Sequence, residues 1–448
     1  MYLPAVICAG FALRLLVALK AQCIEMDGIG YATIADQFGK GLFRAGLNNV
    51  FSPMYPFFVS LLHLAVPDVE LAGRLVSVFF GVLLIWISFL FASRLLCDSA
   101  KAVWVAVLVA FHPYLVRYSG QVLSESLAAF LFTLTVFSFY AGWQDRRRAA
   151  LVVSGVCLLL TYLTRPEYLV FYAPFLLLLL RRRRVADCAV LLLPFLVLGA
   201  LYISYLHAQT GKWMVSNRAT LLPFVPVSAS FANIPFVSYD FMIAVFPLFL
   251  LFAILGLPRA PRPYRLLALV LVVFHILSLS FISHSTKRYS VEFVPISMIF
   301  AAVGIYGVGE YFRRFFPGRA TAISCVLAAA VVFMGVLEPL APPHYERGLY
   351  KQAGLFLLTH DPGSVVAARL PLAAFYAQGK PVDLLSELST DKGIAGLDRV
   401  LADKRVGYLV VDEELEKEVP CLREYLSGKM PVCTLSHKEA FLRVYKFS

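Results

Sequence analysis

The feature that most constrains this chain is its series of long apolar blocks. They lie at about residues 2–20, 71–95, 102–117, 126–143, 149–164, 168–180, 186–206, 241–257, 266–283, 291–309 and 320–338. A helix needs roughly 20 apolar residues to cross a bilayer, with about 17 as the usual lower limit. Apolar stripes of 3.6-residue period, typical of half-buried soluble helices, are not the pattern here. The blocks predict an all-α polytopic membrane protein with about eleven transmembrane helices.

Composition and motifs exclude several soluble classes. Hydrophobic residues make up 60% of the chain and charged residues 15%, whereas a soluble globular protein is near half apolar and a quarter charged. No Gly-rich phosphate loop of the Walker or Rossmann type is present in the sequence, and the cysteines show no CxxC spacing. The sequence therefore gives no sign of a nucleotide site or a zinc module.

The positive charge is concentrated in the apolar part of the chain. The net charge is +12, yet the residues from 340 onward carry 14 basic and 14 acidic side chains. The excess thus lies in residues 1–339, which argues against a nucleic-acid partner and for positive loops on one membrane face.

The loops between the apolar blocks alternate in charge. One set carries fifteen basic residues against four acidic ones, and the other set carries ten of each. The positive-inside rule places the first set in the cytoplasm. The N-terminus is then cytoplasmic, and the segments 21–70, 207–240 and 340–448 are extracytoplasmic.

This alternation settles two ambiguous stretches. The run from Ala149 to Leu180 has arginine clusters at both ends, so it is predicted to be a hairpin with its outer turn at Thr164–Glu167. The run Ser52–Val66 would invert every later loop if it crossed the membrane. It is therefore predicted to be an interfacial helix in the first outer loop.

Two domains are predicted. Residues 1–339 form the transmembrane domain, and residues 340–448 form a small α/β extracytoplasmic domain. In the latter we expect strands at Ser364–Arg369, Arg405–Val411 and Phe441–Phe447, with helices at Arg347–Leu358 and Gly396–Asp403.

Ionisable groups close to the hydrocarbon are costly, so each needs a reason. Asp27, four residues before Tyr31, is either the N-cap of an interfacial helix or a carboxylate that accepts a proton from a hydroxyl nucleophile. The turn Ser52–Pro56, with Tyr55 between two prolines, is expected mainly to shape the interface.

Two further outer turns carry charge. Glu125 can begin the next helix, where a negative charge suits the dipole, or it can meet Asp27 or a cation across the outer mouth. Arg165 and Glu167, on either side of a proline, can pair with each other. Alternatively the planar fork of Arg165 can bind a phosphate.

The last candidate group lies at the outer end of the ninth block. His284, Lys287 and Arg288, followed by Tyr289, place three potential cations on the face that is otherwise poor in them. Binding of ordinary lipid headgroups is one explanation, and a specific lipid phosphate is the other.

The order of these motifs resembles a known superfamily. Asp27, Gly28 and Tyr31 are followed by Ser52–Pro56, Ala72–Ser77, His112–Gly120, Leu123–Ser126 and Leu163–Glu167. This order is similar to that of bacterial C-type (GT-C) membrane glycosyltransferases, the glycosyltransferase family 39-like relatives of protein O-mannosyltransferases and aminoarabinose transferases. The resemblance covers residues 1–180 best and the C-terminal domain only by position.

The resemblance implies an inverting transfer of a sugar from a polyprenyl-phosphate donor to a glycan, lipid or protein acceptor outside the bacterial inner membrane. It implies Asp27 and Glu125 as catalytic candidates, with Asp27 as the base. The implied donor or phosphate ligands are Arg165, Glu167, His284, Lys287, Arg288 and Tyr289, and Tyr31 and Tyr55 position the acceptor or the loop.

Several alternatives stay open. The proline turn begins Ser52-Pro53 where the lipid-A-modifying branch has Glu-Lys-Pro, so neither lipid A as acceptor nor that branch's metal site is carried over. No metal ligands are assigned, although a divalent cation is compatible with the sequence. A secondary transporter or flippase for a lipid-linked or anionic solute is the main alternative, and a non-catalytic assembly factor is a third.

Overall fold

The computed structural model describes residues 2–217, 226–282, 286–315, 320–340, 345–388, 393–437 and 440–447. The chain divides into two compact units. The membrane unit comprises Met1–Lys20 and Tyr31–Ala341, and the C-terminal unit comprises Ala21–Gly30 and Pro342–Ser448.

Helices dominate the membrane unit. They are α1 (Tyr2–Lys20), α2 (Met26–Gly39, whose first turn belongs to the C-terminal unit), α3 (Phe43–Leu47), α4 (Met54–His63), α5 (Val69–Leu96), α6 (Ser99–Ala110), α7 (Pro113–Ser119), α8 (Glu125–Asp145), α9 (Arg148–Thr164), α10 (Tyr172–Arg181), α11 (Val185–Pro194), α12 (Ala200–Thr210), α13 (Val227–Val245), α14 (Pro247–Gly256), α15 (Arg262–Ser280), α16 (Val294–Phe315) and α17 (Ala320–Leu340). Short 3₁₀ segments cover Pro166–Phe171, Leu257–Arg259 and Lys287–Phe293, and a π-helical turn at Phe195–Gly199 joins α11 to α12.

Six helical stretches in the described part of the chain are long and apolar enough to cross a bilayer. They are Tyr2–Lys20, Val69–Leu96, Glu125–Asp145, Val185–Thr210, Arg262–Ser280 and Lys287–Phe315. Two bent pairs, α6 with α7 and α13 with α14, raise the number to eight if each pair is one span. The chain is thus a multi-pass helical protein with a small C-terminal sheet domain, and the predicted count of eleven spans stays a prediction.

The helix bounds agree with the predicted hairpin and the predicted short helix, and the membrane face on which they lie stays a prediction. Helix α9 ends at Thr164, and the Tyr172 hydroxyl then donates to the Gly155 carbonyl oxygen at 3.1 Å, so the chain folds back on itself. Helix α4 has ten residues, about 15 Å at 1.5 Å per residue, which is half the thickness of the hydrocarbon. It is too short to cross.

Two buried polar side chains bind the backbone where helices break. The pair α6 and α7 is bent by 56° and the pair α13 and α14 by 92°. Arg14 in α1 donates to the carbonyl oxygens of Ala110 (2.7 Å) and Val109 (3.0 Å), at the end of α6. His112 Nε2 lies 3.2 Å from the carbonyl oxygen of Val245, at the end of α13. These carbonyls have lost their helical partners and need others in an apolar surrounding.

Replacing Arg14 with methionine is expected to lower the stability of the membrane unit, because the two carbonyl oxygens at the α6 end would then be buried without a donor. The expected loss is about 3–6 kcal/mol, from two charge-assisted hydrogen bonds. Thermal unfolding of the purified protein in detergent measures it. Arg14→Lys should retain part of the stability, and an unfolding midpoint equal to that of the wild type would contradict this role.

A pair of glycines permits the close crossing of α14 and α16. A Cβ on Gly256 would lie 2.0 Å from the Phe300 carbonyl oxygen, and a Cβ on Gly304 would lie 2.0 Å from the Phe252 carbonyl oxygen. Small residues at such crossings let helix backbones approach within the membrane. The crossing fixes α16, and α16 continues the 3₁₀ segment Lys287–Phe293 that carries part of the site described below.

The C-terminal unit is a five-stranded mixed sheet with helices. The strands are β1 (Val365–Ala368), β2 (Lys380–Asp383), β3 (Tyr408–Asp412), β4 (Cys433–His437) and β5 (Ala440–Lys446), in the order β2-β1-β3-β5-β4. β1 is parallel to β2 and β3, while β5 is antiparallel to β3 and β4. The helices are α18 (Tyr345–His360), α19 (Leu372–Tyr376), α20 (Leu384–Glu387), α21 (Ile394–Asp403), α22 (Glu413–Glu418) and α23 (Cys421–Tyr425).

A hydrogen-bonded triad joins α18 to the carboxyl ends of β1 and β3. The Asp412 carboxylate accepts from the Tyr350 hydroxyl (2.7 Å), from Arg369 Nη2 (2.7 Å) and from the backbone N–H of Leu415 (2.8 Å). Burial alone would raise the pKa of Asp412, but these donors hold it below its ordinary value. The Asp412 carboxylate therefore remains ionised at neutral pH, and the triad fixes α18 against the sheet.

Candidate functional site

The centre of the site is the buried carboxylate of Glu125. The residue begins α8, where the helix dipole favours a negative charge. One of its oxygens, Oε1, lies 2.6 Å from Arg288 Nη2 and 3.7 Å from Arg165 Nη1. The other oxygen, Oε2, is buried and accepts no hydrogen bond from the described residues. The Glu125 side chain is 1% exposed, so its charge depends on these two guanidinium groups.

Arg165 lies next to Glu125 and contacts two further carboxylates. Its Nε donates to Glu167 at 2.9 Å, and its Nη1 donates to Glu292 at 2.8 Å. Its guanidinium also faces the ring of Tyr289, 5.2 Å from the ring centroid. Arg165 is predicted above as a phosphate ligand. Its side chain is only 4% exposed and lies among carboxylates, and its role as a phosphate ligand stays a prediction.

Glu292 is the member of the cluster that the sequence predictions miss. It lies in the 3₁₀ segment that precedes α16, with its side chain fully buried beside Arg165. The signal was present, since Glu292 is an acidic residue at the edge of an apolar block that begins at 291. An ionisable residue there requires a cation as partner, but the sequence gives no indication that the partner is Arg165.

Arg288 is the more accessible cation. Its side chain contacts Glu125 and is still 34% exposed, so it is accessible to a ligand. The neighbouring Lys287 donates to the Tyr114 hydroxyl at 3.1 Å and lies 4.4 Å from the centre of that ring. Both cations sit at the start of the Lys287–Phe315 span. Together they give one end of the span a positively charged surface next to a buried carboxylate.

Tyr31 and Tyr55 hold the loop that leads to Glu125. The Tyr31 hydroxyl hydrogen-bonds the Ser124 hydroxyl at 3.1 Å. The Tyr55 and Ser77 hydroxyls lie 2.9 Å apart, and Ser77 donates to the Leu123 carbonyl oxygen at 3.1 Å. Burial raises the pKa of Tyr55, so its hydroxyl stays neutral and can donate. The geometry is that of a loop support, one of the two roles predicted for these tyrosines.

The cluster carries three carboxylates, on Glu125, Glu167 and Glu292, and two guanidinium groups. Two of the carboxylates and Arg165 are almost wholly buried. Buried ions are tolerated only when paired and hydrogen-bonded, and removing one partner leaves an uncompensated charge. The arrangement therefore fixes the position of Arg288, the cation at the accessible edge.

The remaining predicted residues lie elsewhere. Asp27 is in the first turn of α2 and belongs to the C-terminal unit, so its convergence with the cluster remains a prediction. His284 lies outside the described residues. Within the described part of the chain, no group of three or more His, Cys, Asp and Glu side chains is placed to hold a metal ion.

Comparisons with known proteins agree with this architecture. Residues 51–208 match the family model described as dolichyl-phosphate-mannose-protein mannosyltransferase. The structure is similar to that of ArnT from Cupriavidus metallidurans bound to undecaprenyl phosphate, with a TM-score of 0.68 at 12% identity over 99% of this chain and 98% of that one. Its similarity to the apo state of that protein has a TM-score of 0.65 at 11% identity, over 99% and 97% of the two chains. The search of curated proteins returned no match.

These findings confirm the predicted fold, and the family match over residues 51–208 supports the predicted superfamily. The chain is a multi-pass membrane protein with the fold of the C-type membrane glycosyltransferases. The structural similarity extends over nearly the whole of both chains, so it includes the C-terminal unit, which the sequence resemblance reached only by position.

Proposed function

We propose that this protein transfers a sugar from a polyprenyl-phosphate donor to a hydroxyl of a glycan, lipid or protein acceptor on the extracytoplasmic face of a bacterial inner membrane. The observation that carries the proposal is Arg288, a cation that a buried network fixes while its side chain stays 34% exposed. The family match supports a lipid-linked donor, since its description names a dolichyl-phosphate sugar. The fold shared with an undecaprenyl-phosphate-bound protein supports it further.

Arg288, with Lys287 beside it, binds the donor phosphate in this proposal. A guanidinium presents two N–H groups in a plane, which suits two phosphate oxygens. As the bond between the anomeric carbon and the phosphate oxygen breaks, negative charge grows on the phosphate, and fixed cations stabilise it. Arg165 contributes indirectly, because it holds the Glu125 carboxylate, and this carboxylate orients Arg288.

Asp27 is the proposed general base. The acceptor hydroxyl oxygen attacks the anomeric carbon from the side opposite the phosphate, which inverts the configuration, and the hydroxyl proton passes to a carboxylate. Glu125 is the second catalytic candidate, and its contact with Arg288 places it nearer to the leaving phosphate. Residues 1–339 then form the catalytic domain and residues 340–448 an extracytoplasmic domain, with the N-terminus in the cytoplasm.

Replacing Asp27 with asparagine is expected to lower transfer by about 10²–10⁴-fold, the usual contribution of a general base. The purified protein in proteoliposomes receives tritium-labelled undecaprenyl-phosphate-linked hexoses and pentoses as donors, and membrane extracts supply the acceptors. The assay measures the tritium transferred to those acceptors. Asp36→Asn is the matched control, because Asp36 is an exposed acid on the same helix that pairs with Lys40. The control should transfer normally.

Two results would contradict these assignments. Normal turnover in Asp27→Asn would remove Asp27 as the base. Flux of a lipid-linked or anionic solute through wild-type proteoliposomes, without sugar transfer from any of the donors, would favour the transporter alternative.

A further inference from the structure

The segment that carries Asp27 is part of the C-terminal unit. Residues Ala21–Gly30 follow the first helix in sequence, yet they cluster with Pro342–Ser448 and not with the helices on either side of them. We propose that the C-terminal unit positions this segment, and with it Asp27, for the transfer reaction. The inference rests on the proposed function, and it assigns Arg347 and Tyr376 as positioning residues.

The first contact is an ion pair at the start of α2. The Arg347 guanidinium donates to the Glu25 carboxylate, and both side chains are partly buried. The Glu25 backbone carbonyl accepts the N–H of Ile29 at 3.2 Å, which is the first hydrogen bond of the helix. A residue that opens a helix sets the direction of its first turn. Holding Glu25 therefore also sets the direction of the turn that carries Asp27, two residues later.

The second contact holds the backbone one residue earlier. The N–H of Ile24 donates to the Tyr376 hydroxyl at 2.8 Å, and the Ile24 side chain is buried. Tyr376 is itself fixed, because Lys351 lies 4.7 Å from the centre of its ring. A Cβ on Gly354 would lie 2.5 Å from the Tyr376 Cβ, so α18 and α19 are in close contact there.

One face of α18 makes these contacts. Arg347 and Lys351 are four residues apart, so they lie one above the other on that helix. The same helix is anchored to the sheet by the Tyr350 hydroxyl, which donates to Asp412 at the end of β3. The sheet thus holds α18, and α18 holds the start of α2. In this proposal the C-terminal unit contributes to catalysis by positioning α2 and is not a separate docking module.

Arg347→Gln and Tyr376→Phe test the inference. Hydrogen exchange of the amides in residues 21–30 should become about fivefold faster in either variant, as expected for losing one partly buried contact. The turnover number should fall roughly tenfold to a hundredfold with the donor KM unchanged, because a base displaced by about 1 Å loses efficiency without altering donor binding. Lys404→Gln breaks an exposed pair with Glu387 in the same unit and should change neither quantity.

Two further variants separate positioning from a merely structural role. The exchanged pair Glu25→Arg with Arg347→Glu should restore the turnover number to within about twofold of the wild type. In the Asp27→Asn background, Arg347→Gln should cause no additional loss, because both changes remove the same contribution. If Arg347→Gln lowered the turnover number in the Asp27→Asn background by the same factor as in the wild type, Arg347 would act independently of Asp27. That result would overturn the inference.

The outcomes for the inference and for the proposed function are distinguishable. Hydrogen exchange of residues 21–30 does not depend on catalysis, so an unchanged rate in both Arg347→Gln and Tyr376→Phe overturns the inference even if transfer is observed. An absence of transfer in the wild-type protein, with faster exchange in the variants, would leave the contacts in place and remove the proposed function.

Discussion

Replacing Arg165 with glutamine is expected to destabilise the membrane unit by roughly 3–5 kcal/mol and to abolish transfer, because removing one partner from a buried ion pair leaves uncompensated charge. Arg165 is the shared cation of three carboxylates, with Glu292 at 2.8 Å, Glu167 at 2.9 Å and Glu125 at 3.7 Å. Thermal unfolding of the purified protein in detergent measures the stability, and the transfer assay measures the activity.

A compensating substitution makes this prediction specific. Arg165→Gln combined with Glu292→Gln removes one positive and one negative charge together, so it should recover a large part of the lost stability but not the activity. Arg148→Gln is the matched control, since the Arg148 side chain is 68% exposed in its pair with Asp187. A pair with so exposed a cation contributes at most about 1 kcal/mol, and Asp187 keeps Arg184 as a partner in this variant. Unfolding of Arg165→Gln at the wild-type temperature would contradict the central place of Arg165.

Arg288→Gln is expected to weaken donor binding and to destabilise the membrane unit less than Arg165→Gln does. The side chain is 34% exposed, so its removal leaves Glu125 with Arg165 as a cationic partner. A hydrogen bond to a charged group contributes about 1.5–3 kcal/mol, which corresponds to a loss of roughly tenfold to a hundredfold in affinity. Binding of undecaprenyl phosphate to the protein in nanodiscs, at one fixed salt concentration, measures it.

Arg288 has a suitable control on the same span. Arg313 is exposed near the other end of the Lys287–Phe315 stretch, about 25 residues or nearly 40 Å away at 1.5 Å per residue. Arg313→Gln should bind undecaprenyl phosphate as the wild type does. Arg288→Lys should keep part of the affinity, because lysine retains the charge but not the planar fork. Equal losses in Arg288→Gln and Arg313→Gln would point to general attraction between cations and the lipid.

Local sequence signals predicted much of the fold. Each predicted apolar block contains helix in the described residues. The three predicted strands correspond to β1, β3 and β5 of the C-terminal sheet. The two missed strands, β2 and β4, lie at the edges of the sheet and are largely exposed. An edge strand with few buried residues lacks the apolar alternation by which strands are recognised.

The sequence does not predict which residues from distant parts of the chain contact one another. Arg165, Glu125 and Arg288 were each predicted as site residues, and they do come together. The relative burial of these side chains was not predictable, because it depends on how they pack against one another. Glu292 beside Arg165 and Glu25 beside Arg347 join residues 127 and 322 positions apart. No periodicity or charge count reports on such pairs.

The central claim is that the cluster around Glu125 and Arg165 presents Arg288 to the phosphate of a polyprenyl lipid. A cryo-electron microscopy structure of the protein in nanodiscs with undecaprenyl phosphate tests it most directly. We expect phosphate density about 3 Å from the Arg288 guanidinium, with the lipid chain running along the spans. Phosphate density on other cations, with none within hydrogen-bond distance of Arg288, would contradict it.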